Sequence, residues 1–441
     1  MAASCYFYMF FKPVYILILA GTIVIDYYAG LQLGKLTGRR RRWMLLLSLF
    51  ANIGVLALFK YYNFFAVNTN HVLHLCGYSF QLHYLDMLLP IGLSFHTFQA
   101  MSYTIEVYRG KQQPEKHFGV YALYVMFYPQ LVAGPIERPQ NILHQFHQKK
   151  QFSWQNLTYG LKLMLWGLFK KVVIADRLAV YVGSAFGGYI NQTGSTLLVA
   201  SFFFAIQIYC DFSGYSDIAR GAAKTMGYDL VINFRRPYLA ANITDFWRRW
   251  HISLSSWFKD YVYFSLGGNK TAAFKWCRNI LIVFLLSGMW HGANWTFLVW
   301  GLMHGLFTIA HKLFSAVQAK SAKATRSIIG KVSSVAITFI VVTFSWIFFR
   351  AENLHQAAGI INKIVTNWHS RLFIKTGTWM AVSVIGICII IAADIVEEYG
   401  INFKLLGNRF AAVRIATISL MVTGILLFGI LHSTSFIYFQ F

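Results

Sequence analysis

Long apolar runs recur along the chain. They include KPVYILILAGTIVIDYYAG, RWMLLLSLFANIGVLALF and VRIATISLMVTGILLFGIL, each close to the length of about 20 residues that crosses a bilayer as an α-helix. The 441 residues are 57% hydrophobic and only 12% charged, far less charge than a soluble fold of this length carries. Because lipid offers the backbone no hydrogen-bond partners, such runs satisfy their own peptide groups as helices. The sequence therefore predicts an all-α polytopic membrane protein.

Roughly ten transmembrane helices are predicted from length and apolarity, and some of these segments need not cross the bilayer fully. The segments lie at 13–31, 43–60, 84–105, 118–134, 157–182, 195–214, 279–297, 298–314, 332–349, 377–396 and 410–432. No cleavable signal peptide is evident, because the first apolar stretch continues as a full span.

The basic residues lie in short connectors between these segments, beginning with Arg39 to Arg42. This positive-inside pattern accounts for the net charge of +24 and argues against a nucleic-acid partner. It places 32–42 in the cytoplasm, 61–83 outside, and the connector with Arg109 and Lys116 in the cytoplasm again.

Simple alternation then places 135–157 outside although it is basic. A re-entrant 118–134 segment, broken at Pro129, Gly134 and Pro135, resolves this conflict, because irregular backbone is tolerated at membrane depth where protein surrounds it. The sidedness of the basic connector 350–376 stays open.

The connector 211–278 is mildly polar and basic, and we expect it to lie at the cytoplasmic side or partly embedded. Within it, ITDFWRRWHISLSSWF predicts one helix with Thr244 or Asp245 as N-cap. Trp247, His251 and Ser255 would share a face of that helix. Two interpretations stay open at this point, an interfacial amphipathic helix and a substrate site.

A second histidine lies inside an apolar run, in LSGMWHGANWTFLVWG (286–301). A polar side chain within a span is costly and by default marks a functional pathway, although a neutral histidine bonded to another helix is the common alternative. His304 fits that alternative.

The surroundings of His291 favour function. Gly288 and Gly292 let another backbone approach, Trp290 and Trp295 supply apolar walls, and Asn294 offers an amide. Such a pocket keeps the imidazole neutral, because desolvation disfavours its charged form. Five scattered cysteines without a CxxC pair indicate neither a disulfide framework nor a zinc site, and no metal is predicted.

FWRRWHISLSSWFKDYVYFSLGGNK, followed about forty residues later by SGMWHGANWTFLVWG, resembles the membrane-bound O-acyltransferase (MBOAT) superfamily. The chain is most similar to the branch that contains the membrane subunit of bacterial alginate O-acetyltransferase, with the D-alanyl transfer protein of teichoic acid as a more distant relative. Further matching pieces are LPIGLSFHTFQAMSYTIEVYRG, FYPQLVAGPIERP, YCDFSGYSDIARG, WIFFRAENL and the terminal FIYFQF.

The resemblance implies one integral-membrane domain over 1–441, with its motif core at about 84–314 and a central tunnel. From the resemblance we expect the N-terminus to be short by a helical hairpin. His96 stands where the family would have an aromatic residue, and we interpret it as a packing substitution.

The resemblance also implies acyl transfer from a thioester donor to a hydroxyl. Carried over by motif, His291 is the general base, and His251 orients substrate or shares the proton. Asn294, or backbone N–H groups near Gly288 and Gly292, would face the oxyanion. No tightly bound cofactor is implied. The donor would be acetyl-CoA or an acyl-carrier phosphopantetheine thioester, whose phosphates one or two of five basic residues would contact. These five are Arg235, Arg236, Arg248, Arg249 and Lys259.

The implied acceptor is an extracytoplasmic polysaccharide, reached directly or through a relay partner protein, from the bacterial cytoplasmic (inner) membrane. The alternatives are D-alanyl transfer from a carrier protein and, in another class, a polysaccharide or lipid transporter. Against a transporter, the sequence contains no inverted repeat and no paired broken helices.

Overall fold

The computed structural model describes residues 1–10, 12–87, 89–319, 327–368, 377–401, 406–430 and 436–437, and for 316–319 the backbone alone. Within these ranges it is helical and contains no strand. The α-helices are α1 (Ala2–Met9), α2 (Tyr15–Leu33), α3 (Gly38–Leu56), α4 (Tyr62–Leu75), α5 (Leu93–Tyr108), α6 (Phe118–Met126), α7 (Tyr128–Leu131), α8 (Pro139–Phe146), α9 (Trp154–Leu168), α10 (Asp176–Gly187), α11 (Gly194–Thr225), α12 (Ile243–Arg249), α13 (Ile252–Trp257), α14 (Ala273–His291), α15 (Trp295–Ala319), α16 (Ile328–Arg350), α17 (Leu354–Thr366), α18 (Gly377–Glu398) and α19 (Ala411–Phe428).

Three π-helical segments and two short 3₁₀ segments complete the helical structure of these ranges. The π-helical segments are Ala57–Tyr61, Phe169–Ala175 and Phe258–Tyr263, and the 3₁₀ segments are Tyr189–Asn191 and Pro237–Leu239. The first π-helical segment joins α3 to α4, so the predicted span 43–60 continues as one helical stretch to Leu75.

Seven helical stretches of the described chain are long and apolar enough to cross a membrane. They are Tyr15–Leu33, Gly38–Leu75, Gly194–Thr225, Trp295–Ser315, Ile328–Arg350, Gly377–Glu398 and Ala411–Phe428. Each coincides with a segment predicted from the sequence, and the chain is a multi-pass membrane protein. The figure of about ten spans stays a prediction.

The predicted re-entrant segment 118–134 forms two short helices. α6 has 9 residues and is about 13 Å long, well under the roughly 30 Å of a bilayer core. It ends at Met126, and the extended backbone of Phe127 separates it from the four-residue helix α7, which has Pro129 in its first turn. The break therefore lies two residues before the first of the predicted breaking residues, and neither helix can cross alone.

The described chain forms two compact units. The first comprises Met1–Leu161 with Ala219–Val231, and the second Lys162–Ile218 with Ile232–Phe441. In the first unit, α2, α3 and α5 pack around a buried Asp26, whose carboxylate accepts bonds from Ser48 Oγ at 2.6 Å and Asn52 Nδ2 at 2.8 Å. His96 lies buried on α5, as expected of a packing residue. The extent of a single domain over 1–441 stays a prediction.

In the second unit, α14 and α15 form a tightly packed antiparallel pair joined by residues 292–294. Two glycines make the close approach possible, because a methyl group on Gly288 would collide with the carbonyl oxygen of Phe297 and one on Gly301 with that of Phe284. The predicted apolar segment 279–297 therefore contains the end of one helix and the start of the next. His291 is the last residue of α14.

Candidate active site

The predicted helix over ITDFWRRWHISLSSWF is wrong, because the chain breaks at Trp250 and His251. α12 begins after Asn242, whose side chain accepts the backbone N–H of Asp245, so Asn242 is the N-cap in place of Thr244 or Asp245. His251 adopts a left-handed backbone conformation with φ of 42°, which an α-helix cannot accommodate. Because of this break, Trp247 and His251 do not share a helix face.

His251 is fully buried and is held by Asn233, a residue for which the sequence predicted no role. The Oδ1 atom of Asn233 lies 3.1 Å from His251 Nδ1 and accepts bonds from Ser253 N at 3.2 Å and Ser253 Oγ at 2.9 Å. The backbone N–H of Ile252 also donates to the Asn233 carbonyl at 2.9 Å. One asparagine therefore organises both the imidazole and the first turn of α13.

These contacts determine the tautomer of His251. Because a backbone N–H of Ser253 donates to Oδ1, that atom of Asn233 is the amide oxygen. An oxygen only accepts, so His251 Nδ1 carries the hydrogen and Nε2 is the acceptor nitrogen. His251 lies between helices, outside the membrane-spanning segments, and burial lowers its pKa to about 3. The side chain is a neutral imidazole.

His291 ends α14 and is enclosed by aromatic rings. The centroid of its ring lies 5.0 Å from that of Trp290, 5.1 Å from Trp300 and 5.1 Å from Phe349. Its side chain is buried, with 3% exposure. At the C-terminal end of a helix, positive charge forming on an imidazole is favoured by about 0.3–1 kcal/mol. The position thus suits a group that takes up a proton during a reaction.

Trp290 connects the two histidines. Its ring centroid lies 5.0 Å from that of His291 and 5.9 Å from that of His251. Phe212, from the YCDFSGYSDIARG motif on α11, packs edge-on against His251 at 4.6 Å. The two histidine motifs, separated by forty residues in the chain, meet at one aromatic layer.

The terminal FIYFQF motif reaches the same layer. The ring of Phe436 lies 5.7 Å from Phe212 and 5.0 Å from Tyr215. The backbone N–H of Ile437 donates to the carboxylate of Asp211 at 2.9 Å, and Lys171 pairs with that carboxylate at 2.8 Å. Residues 438–441 lie outside the described ranges.

Two residues predicted to line the pocket of His291 have other contacts. Trp295 is 52% exposed, because it opens α15, and Trp300, more than one turn later, supplies the wall against His291. Asn294 anchors the loop: its amide donates to the Glu352 carbonyl at 2.7 Å, and its Oδ1 accepts the N–H of Thr296 at 3.0 Å. These bonds use the oxygen and one of the two N–H donors of the Asn294 amide, so Asn294 supports the loop, and its oxyanion role stays a prediction.

His304 has the structural role that was expected of it. Trp247 Nε1 donates to His304 Nδ1 at 3.3 Å, so the other ring nitrogen carries the hydrogen. His304 Nε2 lies 2.8 Å from Ser345 Oγ, which donates to the Val342 carbonyl at 2.7 Å. Every polar atom of this chain of bonds is satisfied, and His304 joins α12, α15 and α16.

The five predicted donor-binding residues separate into two groups. Arg236 and Arg249 form ion pairs with Glu398 at 2.7 and 2.9 Å. Because a carboxylate occupies these guanidinium groups, the structure argues against both as donor contacts. The remaining three side chains are exposed and belong to Arg235, Arg248 and Lys259.

Sequence reasoning missed the residues that hold the histidines in place. Asn233 precedes His251 by eighteen residues, and Phe349 follows His291 by a longer stretch, so no local spacing relates them. The family motifs gave a partial signal, since WIFFRAENL contributes Phe349 and Glu352 to the site. Among the described residues, no group of three or more His, Cys, Asp or Glu side chains is placed to hold a metal ion.

Replacement of Asn233 by alanine is expected to destabilise the protein and lower its activity. The change leaves three buried donors without their acceptor, at about 1–3 kcal/mol of unfolding free energy, and releases the His251 ring. Thermal unfolding in detergent measures the first effect and turnover the second. Asn191→Ala, at an exposed asparagine of the same unit, is the matched control. Equal unfolding temperatures for the two variants would contradict the role given to Asn233.

The chain is similar in sequence to known membrane acyltransferases. A family model described as "MBOAT, membrane-bound O-acyltransferase family" matches residues 23–351. The chain is similar to the peptidoglycan O-acetyltransferase of Helicobacter pylori, with 36% identity over 82% of this chain and 72% of the relative. It is also similar to the probable alginate O-acetylase AlgI of Pseudomonas aeruginosa, with 39% identity over 80% of this chain and 67% of the relative. Similarity to the teichoic acid D-alanyltransferase of Bacillus subtilis is lower, with 27% identity over 62% of this chain and 71% of the relative.

Proposed function

We propose, because this chain belongs to the membrane-bound O-acyltransferase family, that it transfers an acetyl group from a cytoplasmic thioester to a hydroxyl of an extracytoplasmic polysaccharide or of a relay partner protein. Membership makes the chain an acyltransferase. The acetyl group is proposed because the O-acetyltransferases among its relatives are more similar to it than the D-alanyltransferase is.

One observation carries the proposal: His291 is buried at the end of α14 among three aromatic rings, one of which, Trp290, also packs against the neutral His251. Acyl transfer from a thioester requires a base for the hydroxyl proton and a dry surrounding, since water would otherwise hydrolyse the donor. The rings around His291 exclude water, and the helix end favours the charge that a base acquires. The structural His304 is also buried among aromatic rings, but it lies within α15, away from a helix end, and its two ring nitrogens bond to Trp247 and Ser345.

In the proposed reaction, His291 removes the proton of the acceptor hydroxyl while its oxygen attacks the thioester carbonyl. The new carbon–oxygen bond forms, the carbon–sulfur bond breaks, and the proton passes from His291 to the departing thiolate. His251 presents Nε2 as an acceptor, since Asn233 holds the hydrogen on Nδ1. It would orient the hydroxyl toward His291 or share its proton.

The donor is proposed to enter from the cytoplasm, because the connector that carries His251 is basic. The donor is acetyl-CoA or an acyl-carrier phosphopantetheine thioester, and both carry phosphate groups. Arg235, Arg248 and Lys259 are exposed and are the proposed phosphate contacts. The acceptor side follows from the relatives, whose names place acyl groups on peptidoglycan, alginate or teichoic acid. The bacterial inner membrane is the compartment where such a donor and acceptor meet.

Cysteine accessibility tests this arrangement. One variant keeps Cys76, which is exposed in the segment 61–83, and a second carries Lys259→Cys with Cys76→Ser, the other native cysteines being alanine in both. A membrane-impermeant maleimide is expected to label Cys76 only from outside and position 259 only from the cytoplasm. A non-hydrolysable thioether analogue of acetyl-CoA should protect position 259 and leave Cys76 unaffected.

A transporter gives a different result. Alternating access would change labelling on both faces together when glycan is added, and the donor analogue would protect neither position. That outcome would overturn the acyltransfer proposal. Protection by D-alanyl carrier protein, without protection by the acetyl-CoA analogue, would instead favour D-alanyl transfer.

A further inference from the structure

The C-terminal end of α18 carries acidic side chains that its own helix disfavours. Glu397 and Glu398 occupy the last turn, where the carbonyl end of the helix already presents partial negative charge. The helix ends in a tight cap: Gly400, with φ of 62°, follows the last turn, and the N–H of Ile401 donates to the Val396 carbonyl at 3.0 Å. The cap fixes the backbone of the last turn and with it the direction in which both carboxylates project.

Glu398 lies between two arginines. Arg249 donates through one terminal nitrogen to both carboxylate oxygens at 2.9 Å, and Arg236 Nε lies 2.7 Å from one of them. The side chains of Glu398, Arg236 and Arg249 are 20–22% exposed, so water screens these ion pairs only partly. Asp245 adds a second carboxylate to Arg249 at 3.0 Å.

Its neighbour Glu397 differs from Glu398 in exposure and in its ion-pair partners. Its side chain is 74% exposed, and its ion pair is with Arg236 at 3.0 Å. Exposed ion pairs of this kind contribute little to stability, because water and salt screen them. The two adjacent glutamates thus form a natural pair for comparison, one central to the ion-pair group and one at its edge.

The two arginines lie on the two segments that hold His251. The backbone N–H of Arg235 donates to the Arg249 carbonyl at 2.9 Å, and the N–H of Ile252 donates to Asn233 at 2.9 Å. Glu398 therefore joins residues 233–236 to residues 249–253 from outside the loop. Arg249 precedes His251 by only two residues.

This loop contains both non-glycine residues of the described chain with positive φ, Arg236 at 47° and His251 at 42°. Residues other than glycine rarely adopt this backbone conformation, and they keep it where surrounding contacts hold them. At His251 the interior contact is Asn233. At Arg236 the described side-chain contacts are the ion pairs with α18.

We propose that Glu398 is a positioning residue for acyl transfer: through Arg236 and Arg249 it holds the strained loop that places His251 in the site. It touches neither substrate nor reacting atoms. The effect on turnover rests on the function proposed above, whereas the effect on the loop does not.

The test compares Glu398→Gln with Glu397→Gln in the full-length protein. Glu398→Gln is expected to lower kcat by about 10–10²-fold, the size of effect that a small misplacement near a reacting centre produces. The KM for the thioester donor should stay within about threefold of the wild-type value. Turnover is expressed per folded molecule, so that a loss of folded protein does not count as a loss of kcat. Glu397→Gln should retain the wild-type kcat.

Hydrogen–deuterium exchange provides a readout independent of activity. Peptides covering 233–253 should exchange faster in Glu398→Gln than in the wild type or in Glu397→Gln, and peptides of the first compact unit should be unchanged. Glu398→Asp keeps the charge but withdraws it by one methylene, and it should show smaller changes of the same kind. This variant provides the measurement if Glu398→Gln does not accumulate.

The outcomes separate this inference from the proposed function. Unchanged exchange in 233–253 overturns the inference whatever the activity, and so does faster exchange with a normal kcat. A raised donor KM with a normal kcat overturns it as well, because Arg236 and Arg249 would then bind donor directly. If the wild type transfers no acyl group while the exchange result is as expected, the proposed function fails and the positioning of the loop by Glu398 stands.

Discussion

Replacement of His291 by alanine is expected to abolish acyl transfer while leaving expression and membrane insertion intact. Loss of general-base catalysis alone costs about 10²–10⁴-fold in rate. The substitution also opens a space among Trp290, Trp300 and Phe349, into which water can enter to compete with the acceptor hydroxyl. The measurement is acylation of the product by membranes that contain equal amounts of wild-type and variant protein.

The control for His291→Ala is His74→Ala, which removes an imidazole from an exposed position on α4. It is expected to leave transfer unchanged. Equal thermal unfolding of the two purified variants would show that the loss at position 291 does not arise from misfolding. Near wild-type acylation in His291→Ala would exclude this residue as the base.

Replacement of His251 is expected to have graded effects. His251→Ala removes both the bond to Asn233 and the acceptor nitrogen, and should lower turnover by about 10²-fold. In His251→Gln the side-chain amide can still donate to Asn233 Oδ1, so measurable activity should remain, reduced about tenfold. Transfer rates of the two variants at saturating donor provide the comparison.

Equal and complete loss in both His251 variants would have a different meaning. It would indicate that the imidazole itself carries a proton in the reaction, since glutamine can replace a hydrogen-bond donor but not a base. Equal activity of alanine and glutamine at the wild-type level would remove His251 from the site. Because burial keeps this histidine neutral, its titration should not appear in the pH dependence of turnover between about pH 5 and 8.

Much of the fold was predictable from local composition, because the backbone of an apolar segment in lipid must satisfy its own hydrogen bonds. Every apolar run long enough to cross a bilayer has the same requirement to form a helix, whatever its neighbours, and seven predicted segments coincide with the helical stretches that meet it. The breaks were less predictable. The end of α14 at His291 and the gap between α6 and α7 lie inside apolar segments, where hydropathy alone shows no boundary.

The two histidines of the candidate site could be singled out from the sequence, whereas the contacts that hold them could not. A histidine between glycine and tryptophan inside an apolar run is costly, which singled out His291 from the sequence alone. The pattern of FWRRWHISLSSWF favoured a continuous helix, however, and the left-handed His251 that interrupts it is maintained by contacts outside the motif. The same holds for Trp300, which occupies the place expected of Trp295.

The sequence by itself determined that this chain is helical and lies in a membrane. It also determined that two histidines lie in settings where a polar group is energetically costly. Those properties depend on residue type and local spacing. Only the tertiary structure decided that Asn233 sets the tautomer of His251, that Trp290 joins the two histidines, and that Glu398 pairs with Arg249 from 149 residues away. Hydrogen bonds and ion pairs act over a few ångströms of space, so partners this far apart in sequence are determined by how helices pack and leave no local pattern.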